Sequence, residues 1–113
     1  MEKSEQIYFV EEQRKAMAHM ARQILDGKIG IVAGARELTR LRFPSRAESD
    51  SDILVFVGVD SETDHLPLGN VRQQWNAEVL KVKDEELKRY EVQVRERVFG
   101  ACRNLITKYG GVA

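Results

Sequence analysis

The sequence predicts an all-α fold: a small helical bundle of two long amphipathic helices, with one or two short helices and an acidic loop. Three observations carry the prediction. Apolar residues recur at helical spacing over 5–26 and again over 77–108. Between these segments, residues 29–42 place an apolar side chain at every third position. The one run rich in β-branched residues, 52–59, has no strong partner strand, and a lone strand would leave its backbone N–H and C=O groups unpaired.

The first helix is read over 5–26. Ile7, Val10, Met17, Met20, Ile24 and Leu25 form its apolar side, while Glu11, Glu12, Arg14, Lys15 and Arg22 fill much of the other. Ser4 is placed to cap it, because a serine hydroxyl accepts an unpaired N–H of the first turn. Gly27 is a natural stop. Met17 and Met20 read as core filling in preference to an adaptable binding surface, and His19 reads as a helix-face residue.

The next stretch reads two ways. "KIGIV" alternates like a strand over 28–32, yet Ile29, Val32, Ala35, Leu38 and Leu41 step by three, which predicts a helix over 29–42. Gly30 and Gly34 would let a neighbouring element approach closely, and Pro44 ends the helix because residues before proline avoid helical dihedrals. "PSRAESDSD" is a polar connection. The following "DILVFVGV" has strand-like composition over 53–59, but Asp50 and Asp52 at its start are helix-capping residues, and a short helix is the reading adopted.

The last helix opens at Asn76, a good N-cap, and closes at Gly110–Gly111. Leu80, Leu87, Tyr90, Val94, Val98, Ala101, Leu105 and Tyr109 follow one face. Asp84 would cap a second piece if the helix broke near Lys83. Glu85–Arg89 and Glu91–Arg95 have ion-pair spacing, worth about 0.2–0.5 kcal/mol each.

A chain of 113 residues predicts a single helical domain over 1–113, long enough to bury a core without disulfide or metal. Cys102 is the only cysteine, so no internal disulfide can form; it reads as a small buried hydrophobe. No apolar run fits a signal peptide or a membrane span, so a cytoplasmic location with no membrane partner is expected. Net charge is zero, but the charge is unevenly placed. Residues 48–64 carry six acids and no base, while the flanking segments are basic. This argues against bulk nucleic-acid binding, which needs a basic face; the acidic segment suggests a partner with a basic surface, a cation, or a solvated loop.

"DSETDHLPLGNVRQQW", Asp60 to Trp75, holds the candidate site. Asp60, Glu62, Asp64 and His65 carry donor atoms for a cation or for acid–base work, which raises the alternative of a small metal-dependent hydrolase. No second ligand cluster, phosphate loop or metal-binding spacing accompanies them, so no metal, cofactor or catalytic residue is expected. The favoured reading is a rigid structural connection; the alternative is a binding surface built on that same loop, which would present Asp60, Glu62, Asp64, His65 and Arg72 to a protein partner. In this loop Arg72 pairs with Glu62 or Asp64, Pro67 and Gly69 shape the reversal, and Trp75 anchors its ring on the core.

"ILDGKIGIVAGARELTRL", "DSETDHLPLGNVRQQW" and "ACRNLITKYG", in this order, resemble a family of small bacterial proteins with no assigned chemistry. The resemblance covers most of the chain beyond residue 24, and the middle motif is its specific part. It implies an all-helical cytoplasmic domain, similar in kind to the immunity proteins that neutralise a delivered toxin, and it carries no catalytic residues over. The function expected is therefore a non-enzymatic protein-binding module, with an immunity protein as its sharper form. A structural or oligomeric accessory protein, including a homodimer, is the remaining alternative.

Overall fold

A computed structural model describes residues 2–111, with side chains from residue 5 onward. The chain forms α1 (Glu2–Leu25), α2 (Ile31–Leu41), α3 (Ser51–Glu62), a 3₁₀ helix (Gly69–Gln74) and α4 (Ala77–Tyr109). No strand occurs among the described residues, so 28–32 and 53–59 do not pair as a sheet.

Local chemistry explains most of the boundaries. α1 already includes Glu2, so Ser4 lies within the helix and not at its start, and the Ser4 side chain falls outside those described. Beyond Leu25 the chain turns through Gly27, whose φ of 73° is a left-handed conformation that glycine adopts without steric cost. Lys28 then donates its N–H back to the Gln23 carbonyl at 2.9 Å, closing the end of α1. The β-branched run becomes α3 because Asp50 caps it, its carboxylate accepting the N–H groups of Asp52 at 2.8 Å and Ile53 at 3.3 Å. Ile53, Phe56 and Val59 then recur at helical spacing into the core, and burial overrides the weak helix propensity of valine and isoleucine. Asn76 caps α4 by accepting the Glu78 N–H at 2.8 Å. α4 runs unbroken through Lys83, so Asp84 caps nothing.

α1 packs on α2 and α4, α2 packs on α3, and α3 packs on α4. α3 and α4 run antiparallel: Asp52 at the start of α3 meets Asn104 and Lys108, while Glu62 at its end meets Tyr90. One core joins all four helices, with Met17 and Ile24 from α1, Val32 and Leu38 from α2, Phe56 from α3, and Val98 and Leu105 from α4. At Gly34 α2 lies close against α1: a Cβ there would lie 2.5 Å from the Ile24 side chain.

α4 has 33 residues and, at 1.5 Å per residue, is about 50 Å long. The molecule's longest extent is 54 Å, so α4 spans nearly all of it. Its buried residues begin only at Val94. Leu87 and Tyr90 are partly buried against the core, so only the turns of α4 before Leu87 extend beyond it, and the radius of gyration of 15.4 Å exceeds the ~13 Å of a compact domain this size.

Candidate functional site

The Asp60–Trp75 stretch is the segment that holds the projecting start of α4, through Arg72–Asp84 and His65–Glu86. α3 closes at Thr63, whose hydroxyl donates to the Val59 carbonyl at 2.6 Å. Arg36 of α2 then secures the turn. Its Nη2 donates to the carbonyls of Thr63 at 2.6 Å and Leu66 at 2.9 Å, and its Nε lies 3.6 Å from Asp60 Oδ1. Leu66 and Pro67 are buried beneath it, and Leu68 packs against the core. Gly69, with φ of 66°, makes the reversal into the 3₁₀ helix.

The partners of the charged residues differ from expectation. Arg72 does not reach Glu62 or Asp64. It forms a two-pronged pair with Asp84 of α4, Nη1 to Oδ1 at 2.8 Å and Nη2 to Oδ2 at 2.9 Å, and Nη1 also donates to the Pro67 carbonyl at 3.3 Å. The reason is reach: α4 passes beside the 3₁₀ helix, and the planar guanidinium matches a carboxylate facing it. Glu62 accepts a hydrogen bond from the Tyr90 hydroxyl at 2.9 Å, His65 Nε2 contacts the Glu86 carboxylate, and Asp64 stays exposed. The acids are therefore spread over separate partners on α2 and α4. Among the described residues no three His, Cys, Asp or Glu side chains converge to hold a metal ion.

Electrostatics follow these contacts. The hydrogen bond from Arg72 holds the Asp84 carboxyl below its usual range, and His65 does the same for Glu86. Burial, and then the neighbouring Glu62 carboxylate, push the Tyr90 hydroxyl up to about 12, so it stays a hydrogen-bond donor at neutral pH. The Cys102 thiol is also pushed up to about 12 by burial, against the opposing charge of Arg103, which leaves it an unreactive core residue.

Trp75 is not a core anchor. It is 37% exposed and lies outside the core cluster, because α4 at this point stands clear of the other helices. Val71, Val79 and Val82 are exposed around the same end. Val79 and Val82 precede Glu86 by seven and four residues, and Glu86 precedes Tyr90 by four, so all four share one face of α4. The face that meets the loop at Tyr90 and Glu86 thus continues as bare valines toward Trp75. An adjoining open groove of about 470 Å³ is lined by Arg72, Ala77, Leu80, Lys81, Asp84, Glu85 and Lys88.

Sequence reasoning missed Arg36, Glu86 and Tyr90 as partners of the loop. Each reads locally as an ordinary helix residue, and nothing in its neighbourhood in sequence marks its role. Comparison with known proteins found no matching family model, no matching curated protein and no matching solved structure. No described helix is long and apolar enough to cross a membrane.

Proposed function

We propose that this chain is a non-enzymatic protein-binding module that docks through the braced Asp60–Trp75 loop and the projecting start of α4. The observation that carries the reading is the exposure of Trp75 with Val79 and Val82 beside a loop fixed by Arg36 and Arg72. Tryptophan is enriched among residues that dominate binding energy, and a fixed surface loses little conformational freedom on association. Glu62 and Asp64 are exposed at the edge of this surface, which favours a partner with a basic face. Asp60, His65 and Arg72 act here chiefly by holding the loop in shape. In its sharpest form the partner is a nucleic-acid-cleaving toxin and the chain its cytoplasmic immunity protein, the role implied by the sequence resemblance.

The test is affinity capture from native cells with the wild-type chain and with a Trp75→Ala, Val82→Ala variant, followed by surface plasmon resonance on the protein captured. We expect one basic protein held by the wild type and lost from the variant. Its association should slow as salt rises, and slow again when Glu62 and Asp64 are replaced by their amides. A partner bound equally by wild type and both variants would refute this surface.

A further inference from the structure

A second surface lies elsewhere on the molecule, at the opening turns of α1. Ile7, Tyr8, Phe9 and Val10 are four consecutive apolar residues, which at about 100° per residue point around most of a helix circumference. The chain's own core buries only Val10; Ile7, Tyr8 and Phe9 are each more than half exposed. A helical turn that is apolar all round is built to be surrounded. Phe9 and Val10 form one wall of an open groove of about 490 Å³, and Phe43, Pro44 and Arg46, from the connection after α2, form the other. Phe43 is 60% exposed and carries the Arg42 guanidinium stacked over its ring at 4.3 Å.

We propose that this groove is the interface between two copies of the chain. The α1 turn carrying Ile7 and Tyr8 of one copy seats between Phe9 and Phe43 of the other, and reciprocally. The inference is independent of the docking reading above.

Three arguments select a second copy over a foreign protein. The first is geometry: one chain carries the apolar ridge and the groove side by side, which is what a two-fold interface requires. The second is charge. Glu5 lines the α1 wall and Arg46 the opposite wall, so a two-fold axis running along the groove sets each acid against the other copy's base, and a net charge of zero adds no long-range repulsion. The third is area. Aromatic side chains bury about 150–250 Å² each, so Ile7, Tyr8, Phe9 and Phe43 at their exposures leave roughly 400–500 Å² of apolar surface. A standard interface takes about 800 Å² from each partner, somewhat more than half of it apolar, which is the same amount.

Sedimentation equilibrium on the full chain, up to about 1 mM, tests the proposal. We expect the wild type to sediment at twice the mass of one chain. Tyr8→Glu with Phe43→Glu should sediment as a monomer with an unchanged helical circular dichroism spectrum. Glu5→Arg or Arg46→Glu alone should weaken association roughly tenfold, because the two-fold axis repeats each pair, and the two together should restore it. A wild type that stays monomeric throughout would overturn the proposal and leave the groove to a different protein. A dimer indifferent to Tyr8→Glu and Phe43→Glu, or a charge exchange that fails to restore association, would overturn it as well.

Discussion

The Glu91 carboxylate, midway along α4, accepts the N–H of Val32 at the start of α2 at 3.2 Å. α2 opens at Gly30, which has no side chain with which to cap it. The missing acceptor comes instead from a helix 59 residues away, and its negative charge sits at the positive end of the α2 dipole. Glu91 therefore does not make the surface ion pair with Arg95 that its spacing invites. We predict that Glu91→Ala destabilises the protein by about 1 kcal/mol, the cost of losing a cap. Glu91→Gln keeps the acceptor and should cost no more than about half that, the charge–dipole share alone. Urea denaturation of both variants measures the difference.

Arg36 should matter more. Its removal strands the carbonyls of Thr63 and Leu66 in a half-buried turn. Arg36→Met is expected to cost about 1–3 kcal/mol, the penalty for unsatisfied polar groups. Arg36→Lys should recover only part of this, since one ammonium does not reproduce the planar fork that spans two carbonyls and Asp60. Proteolysis between Asp64 and Gln74 should quicken in parallel. Equal resistance of wild type and Arg36→Met would mean that the loop does not depend on this contact.

Two helix glycines should respond in opposite directions to alanine. At Gly34 the new Cβ would lie 2.5 Å from Ile24 atoms that are themselves buried, so Gly34→Ala overpacks the core and should cost about 1–3 kcal/mol. At Gly58 in α3 a Cβ meets nothing within 4 Å. Gly58→Ala should therefore raise stability by about 0.5–1 kcal/mol through helix propensity. Thermal unfolding of the pair gives the sign directly.

A charged clamp ties the start of α3 to the end of α4. Lys108 Nζ lies 2.6 Å from Asp50 Oδ2 and 2.7 Å from Asp52 Oδ2, and the Tyr109 hydroxyl donates to Asp50 at 2.9 Å. Burial raises the Asp50 carboxyl, but hydrogen bonds from Lys108, Tyr109 and the backbone N–H groups of Asp52 and Ile53 outweigh it and hold the group below its ordinary 3.8. Since the folded value is below the unfolded one, this contribution is complete above about pH 4 and is lost as pH falls through the folded value. Lys108 has the opposite sense. Burial lowers it, the hydrogen bonds of Asp50 and Asp52 raise it further, and its share persists until pH climbs past 10.5 through the raised value. Asp50→Asn keeps the cap acceptor but removes the charge, so its stability should fall less steeply than that of the wild type below pH 4. Urea titrations across the acid range would show the two curves converging, and parallel curves would refute the clamp.

Trp75→Ala should cost about 1 kcal/mol, well short of the ~3–5 kcal/mol of an aromatic core site, because the ring is partly in solvent. Chemical denaturation measures it, and a loss in the core range would place the ring inside.

The helices were legible because their signals are local. Asp50, Asn76, Gly27 and Gly110 act on backbone groups within a turn of themselves, and the spacing of Ile53, Phe56 and Val59 or of Val94, Val98 and Leu105 repeats within a few residues. The all-helical class and the positions of the turns at Gly27 and Gly69 therefore follow from the chain itself. The candidate site was legible as a segment but not as a set of contacts. Arg72 had several carboxylates within reach by sequence, and only the passage of α4 beside the 3₁₀ helix selects Asp84. Arg36 and Glu91 look like surface charges until helices 27 and 59 residues away bring backbone groups to them. Trp75 has the composition of an anchor, and its exposure results from the turns of α4 before Leu87 outrunning the core. Short-range hydrogen bonding and periodicity are properties of the sequence. The choice among chemically equivalent partners, and the side of a long helix left uncovered, depend on where the other helices stop, and only packing decides that.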